Sequence, residues 1–132
     1  DGDHFREILG NDLGYTPNDR LANARRISRM CQFLISQNIN VLCATVSLYK
    51  EIQDFNRQNI NEYVEVFINC DMKELIKRDQ KELYTKAMKG EISNVCGINA
   101  PYDIPLHPEL IIDNSEQKAL DTKVQKILDL VI

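Results

Sequence analysis

Asp1-Gly2-Asp3 sets two carboxylates one glycine apart, and Arg6, Arg20 and Asn23 follow it along the chain. Carboxylates so paired, at what reads as a strand end, can place one group on a magnesium-bound water and the other beside a hydroxyl to be deprotonated. Guanidinium groups grip phosphate or sulfate oxygens through two parallel N–H bonds, which suits Arg6 and Arg20 to an anionic substrate. Arg20 and Asn23 are three residues apart and so project from neighbouring positions of one helix. Taken singly, these signals are weak. The triplet is also what a turn or cap looks like, and the arginines also read as solvated surface charge.

These groups need elements to hold them. Thr16-Pro17-Asn18-Asp19 predicts a helix start, with Thr16 capping, Pro17 at the first helical position and Asp19 returning a hydrogen bond. Leu21, Ala24, Ile27, Met30, Cys31, Leu34 and Ile35 then recur at three-and-four spacing to about Gln37, which makes one face core. Val41 to Val46 is an apolar run without alternation, as in a parallel strand covered on both faces. Further strands are expected at Tyr63 to Ile68 and at Leu110-Ile111-Ile112. Asp71 and Glu74 read as a capping box for a helix through about Arg78, a further helix covers Glu82 to Lys89, and Gly90 ends it. A closing helix carries Leu120, Val124, Ile127, Leu128 and Val131 on one stripe. The order is helix, strand, helix, strand, helices, strand, helix. It implies an α/β fold with a parallel sheet sandwiched between helices and ligands beyond the carboxyl ends of the strands. Asn94 to Pro108, rich in Gly, Pro and Asn, reads as an irregular active-site loop.

Composition narrows the function classes. With 132 residues, 43 % of them hydrophobic, the chain has the material for one core and one domain, 1–132. A net charge of −4 argues against nonspecific nucleic-acid or anionic-membrane binding. Arg25-Arg26 and Lys77-Arg78 remain as local basic pairs that could meet a phosphorylated ligand. Cys31, Cys43, Cys70 and Cys96 form no CxxC pair, and His4 and His107 show no metal-ligand spacing, so structural zinc is not expected. Cys43 and Cys70 read as small core residues of a reducing compartment, a catalytic cysteine being the other reading. No run is long and apolar enough to span a bilayer, and a cytoplasmic protein is expected.

In order and spacing, Asp1-Gly2-Asp3-x-x-Arg6, Asp12-Leu13-Gly14-Tyr15 and Asp19-Arg20-x-x-Asn23-x-Arg25-Arg26-Ile27 resemble the adenylylsulfate kinase family. Ser47-x-Tyr49, Arg78-Asp79-x-Lys81-x-Leu83-Tyr84-x-Lys86-Ala87 and Gly97-Ile98-x-Ala100-Pro101-Tyr102 continue the resemblance over nearly the whole chain. It implies a P-loop-type kinase with a lid that uses ATP and Mg2+ to phosphorylate the 3′-hydroxyl of adenosine 5′-phosphosulfate. By carry-over, Asp1 and Asp3 orient the metal-bound water and the attacking hydroxyl, with Asp1 as base. Arg6, Arg20 and Asn23 hold the substrate nucleotide, Tyr15 offers its base an aromatic face, Val46 and Ser47 line the pocket, and Lys81 reaches from the lid. The resemblance also implies a homodimer.

Departures from the family pattern modify these expectations. The family begins with a strand and a G-x-x-x-x-G-K-[ST] loop that cradle the ATP phosphates, and nothing precedes Asp1. The chain alone is expected to be inactive, a cropped part of a longer protein, and prone to expose the edge of its sheet. Val95 stands near where the family has a phenylalanine that stacks on adenine, Ser47-Leu48-Tyr49-Lys50 replaces Ser-Pro-Tyr-Arg, and Asp79-Gln80-Lys81-Glu82 replaces Asp-Pro-Lys-Gly. A lost stacking face is worth roughly 1–3 kcal/mol of base binding. The alternatives are therefore a cytidine diphosphoramidate kinase and, in another class, a non-catalytic binding module descended from such a kinase.

Overall fold

The computed structural model of the chain describes residues 2–46, 49–79, 81–116 and 118–132. They form two units, Asp1–Tyr63 with Ala100–Ile104, and Val64–Asn99 with Pro105–Ile132.

In the first unit, α1 (Gly2–Ile8) leads to α2 (Pro17–Ser36) and α3 (Lys50–Asn59). Thr16 caps α2 as its sequence predicts, its Oγ1 accepting from the Asp19 amide at 3.2 Å. The Asp19 carboxylate in turn accepts from the Thr16 hydroxyl at 2.7 Å, so it returns its bond to the side chain rather than to the Thr16 amide. α1 and α2 end in the same way. Gly10 and Asn38 take left-handed conformations (φ 88° and 60°) and donate to the carbonyls of Glu7 and Ile35, while Asn11 and Ile39 donate back to Arg6 and Leu34. Both are Schellman endings, at which glycine and asparagine are the least strained residues.

α3 packs on α2 through an Arg25–Glu51 ion pair at 2.6 Å, a bond from Gln32 to the Asn59 carbonyl, and the Arg29 guanidinium set over the Phe55 ring at 5.5 Å. Ile52 and Ile60 are its buried anchors. Tyr49, the formal N-cap of α3, makes no side-chain cap bond. Instead the Asp103 carboxylate accepts from the Lys50 amide at 2.8 Å, and Gln53 donates to the Asp103 carbonyl. A carboxylate there satisfies an orphan amide and complements the helix dipole. Asp103→Ala is expected to destabilise this unit by about 1 kcal/mol, read as a lower urea midpoint at unchanged m-value.

The run Val41 to Val46 departs from expectation. It forms no ladder among the described residues, and Leu42 is 93 % exposed. A strand is fixed by hydrogen-bonded neighbours, and the described sheet consists of two strands elsewhere. Cys43 is correspondingly exposed rather than core, and Cys70 is half-buried.

In the second unit, β1 (Val66–Asn69) and β2 (Leu110–Asp113) pair in parallel, Val66 opposite Leu110 and Asn69 opposite Asp113. α4 (Met72–Arg78) and α5 (Leu83–Met88) lie between them in sequence, and α6 (Leu120–Val131) follows. The parallel pairing with intervening helices is the expected α/β arrangement. The Asp71 capping box is not formed: Asp71 makes no side-chain cap bond, and Glu74 instead pairs with Arg78 at 3.1 Å and Lys77 at 3.6 Å. Two cations in reach outcompete one backbone amide for the same carboxylate. Gly90 (φ 75°) ends α5 as expected, through bonds from Gly90 to Ala87 and from Glu91 to Lys86. Ile112 is buried, whereas the apolar stripe of α6 has no buried residue. No described helix is long and apolar enough to cross a membrane.

Candidate functional site

Three arginines from two helices converge on the loop between α1 and α2. Arg6, on α1, donates through Nη1 to the carbonyls of Leu13 at 2.8 Å and Gly14 at 3.1 Å. Arg20, on the first turn of α2, donates through Nε to the Tyr15 carbonyl at 3.1 Å. Arg26 meets Asp12 in a bidentate pair, 2.6 Å at Oδ1 and 2.7 Å at Oδ2. The loop is tight as well as tethered. A Cβ on Gly14 would stand 2.9 Å from Asp19 Oδ2, so a larger residue there would displace the carboxylate that completes the α2 cap.

Tyr15 projects from this loop with 60 % of its surface exposed. The Arg6 guanidinium carbon stands 4.6 Å from its ring centroid and that of Arg20 stands 5.5 Å away. Each contact is a cation–π interaction that keeps ring and guanidinium in register. Arg6 is only 9 % exposed and Asn23 7 %, both far below what is ordinary for their types. A buried guanidinium whose one edge is fixed by backbone carbonyls beside an exposed aromatic ring is equipped to receive an anion attached to a flat base. Arg6, Tyr15, Arg20 and Asn23 are thus gathered by α1, the loop and the start of α2.

The remaining expected site residues divide as follows. Asp3 sits in the first turn of α1, a helix rather than a strand end, where its charge complements the helix dipole. Asp1 and Ser47 lie outside the described residues. Val46 is exposed at the end of the 41–46 segment. In the second unit, Lys81 lies between α4 and α5, and Val95 is 8 % exposed. Val95 sits in a turn closed by Asn99, whose Oδ1 accepts from the Val95 amide at 2.7 Å and whose Nδ2 donates to the Ile92 carbonyl.

Asp79 organises the segment that holds Lys81. Its carboxylate accepts from the amides of Tyr84 and Thr85, both at 2.9 Å, and from the Thr85 hydroxyl. That hydroxyl is the main cause that holds the Asp79 carboxyl below the usual range. A group so lowered stabilises α5 above the ordinary carboxylate pKa, and the contribution is lost as pH falls through the folded value. Glu82 takes a left-handed φ of 53°, a conformation favouring the glycine that the family pattern carries there.

The two basic pairs singled out in the sequence are engaged internally. Arg25 pairs with Glu51, Arg26 with Asp12, and Lys77 and Arg78 with Glu74, so they read as structural charges rather than ligand contacts. What sequence reasoning missed is the role of Asp12 and Arg26, whose complementary charges fourteen residues apart were the available signal.

An apolar cavity of about 140 Å³ lies against α2, lined by Phe5, Ile27, Met30, Leu34, Val41 and both Cys31 and Cys43 among others. Each thiol acts on the other, which lowers Cys43 to about 7 and raises Cys31. The thiolate is the nucleophile, so Cys43 alkylation by iodoacetamide is expected to rise steeply through pH 7. Peptide mapping should find it labelled well before Cys31.

Of the described His, Cys, Asp and Glu side chains, no three are grouped to hold a metal ion.

Comparison with known proteins bears on this site. The adenylylsulphate kinase family model matches residues 1–113. A cytidine diphosphoramidate kinase of Campylobacter jejuni is 43 % identical over 97 % of the chain and 74 % of its own length. An adenylyl-sulfate kinase of Oceanobacillus iheyensis is 39 % identical over 97 % of the chain, which spans 65 % of that relative. Among solved structures, the Mycobacterium tuberculosis APS kinase CysC in complex with AMPPNP and APS superposes with a TM-score of 0.86 at 32 % identity, covering 98 % of the chain and 76 % of that protein.

Proposed function

Because the chain belongs to the adenylylsulphate kinase family, we propose that its complete gene product transfers the γ-phosphoryl group of ATP to the 3′-hydroxyl of adenosine 5′-phosphosulfate. The observation that carries this reading is the cluster on the 12–15 loop, where the largely buried Arg6 guanidinium is fixed beside the exposed Tyr15 ring. It offers an acceptor nucleotide the two features that define it, a charged tail for the guanidinium and a base for the ring.

In this reading Arg6, Arg20 and Asn23 hold the acceptor's phosphosulfate and sugar, and Tyr15 stacks on its base. Val46 and Ser47 line the pocket, Val95 borders the base, and Lys81 meets the charged tail from the lid. Asp1 takes the proton of the attacking hydroxyl, and Asp3 would hold a magnesium ion through water. Magnesium, when bound, neutralises charge on the phosphates in transfer. Residues 1–132 act as a single domain in this account, in a cytoplasmic homodimer.

The identity of the acceptor has a second reading. The Campylobacter jejuni relative, at 43 % identity, is a cytidine diphosphoramidate kinase, and Val95 offers a base no aromatic face. A smaller pyrimidine loses less than a purine when a stacking face is absent. The test of the proposed reaction is an ATP-dependent conversion of adenosine 5′-phosphosulfate to a product that a 3′-nucleotidase returns to starting material. Absence of that product from a folded, ATP-binding preparation would reject it.

A further inference from the structure

We propose that the Asp12–Arg26 ion pair is a positioning device of the acceptor site, fixing the 12–15 loop so that its carbonyls and the Tyr15 ring present Arg6 to the acceptor's anionic group. This rests on the acceptor-site reading given above.

The loop is anchored at each end to the residue it positions. The Arg6 carbonyl accepts from the Asn11 amide at 2.9 Å, and the Arg6 guanidinium donates to Leu13 and Gly14. Between these anchors stands Asp12, and both of its oxygens are taken by Arg26. The chain enters through two left-handed residues, Gly10 and Asn11 (φ 88° and 52°), so its path depends on contacts made after them. Arg26 lies on α2 beyond Arg20 and so ties the loop to a helix whose cap Thr16 and Asp19 already fix.

Both partners are about half exposed, 40 % for Arg26 and 52 % for Asp12. Pairs so exposed contribute little to stability, but a two-point fork sets direction as well as distance. The Arg26 bond is the main cause holding the Asp12 carboxyl below its usual range, so the pair persists throughout neutral pH. A guanidinium displaced by a fraction of an ångström binds its anion less well and leaves the nucleotide triphosphate site untouched.

The test uses the complete gene product with Arg26→Gln, Asp12→Asn, the double variant and the exchanged pair Asp12→Arg/Arg26→Asp. Arg26→Gln is expected to raise the acceptor KM about tenfold while the ATP KM stays within about twofold. The double variant should be no worse than the worse single, because one interaction is removed in all three, and the exchanged pair should recover part of the loss. Hydrogen exchange should quicken over residues 11–16 alone. An unchanged acceptor KM, an equal rise in both KM values, or faster exchange throughout the first unit would overturn the proposal. Should the wild type phosphorylate neither adenosine 5′-phosphosulfate nor cytidine diphosphoramidate, the functional reading fails by itself. Exchange then decides the clamp: quickening confined to 11–16 upholds the positioning, and no quickening there overturns it.

Discussion

Arg6→Ala is expected to lower kcat/KM for the acceptor nucleotide by about a hundredfold, with little change in the ATP KM. Arg6 is the least exposed cation of the site and has two duties. Its Nη1 satisfies the carbonyls of Leu13 and Gly14, and its charge stands over the Tyr15 ring. Truncation leaves two carbonyls without this donor and the ring with only the more distant Arg20 beside it, and removes the charge that the acceptor's anionic group would meet. Arg6→Lys should recover little, since an ammonium is a point charge that cannot span both carbonyls and an anion in one plane. Initial rates at varied acceptor and fixed saturating ATP, then the reverse, separate the two KM values. A parallel loss for both substrates would remove Arg6 from the acceptor site.

Asp1→Asn is expected to lower kcat by about 10²- to 10⁴-fold while leaving both KM values near those of the wild type. The amide keeps the size and polarity of the side chain but cannot take the proton of the attacking hydroxyl. Asp3→Asn serves as the comparison, because Asp3 is placed in the first turn of α1 and is assigned to a metal-bound water. Its loss should respond to magnesium concentration, whereas that of Asp1 should not. If Asp3→Asn is the more damaging and Asp1→Asn retains kcat, the two roles are exchanged.

Much of this was legible in the sequence where the signals are local. Thr16-Pro17 and a sustained helical period gave α2, Gly90 marked the end of α5, and the apolar run at 110–112 gave β2. Motif order also singled out Arg6, Arg20 and Tyr15, which the fold brings together at one loop. The failures have a common cause in long-range partners. A helix was expected between the first two strands but was given no bounds, because α3 is mostly polar and its first amide is bonded by Asp103, 53 residues away. Val41 to Val46 has the composition of a strand but no ladder among the described residues, and a strand cannot form alone. Glu74 was read as a cap from its spacing to Asp71, yet Arg78, offered as a ligand contact, donates to the Ser115 carbonyl at 2.9 Å, which holds it beside Glu74. Arg26 was read as a possible ligand contact and Asp12 only as part of a motif, and the loop brings them together.

The most direct measurement is kcat/KM of the complete gene product for adenosine 5′-phosphosulfate and for cytidine diphosphoramidate, with ATP saturating and magnesium present. The account predicts ATP-dependent phosphorylation with the higher kcat/KM for the adenosine substrate. A higher value for the cytidine substrate would contradict the proposed acceptor, assign the protein to the second reading and make Val95 part of a pyrimidine pocket.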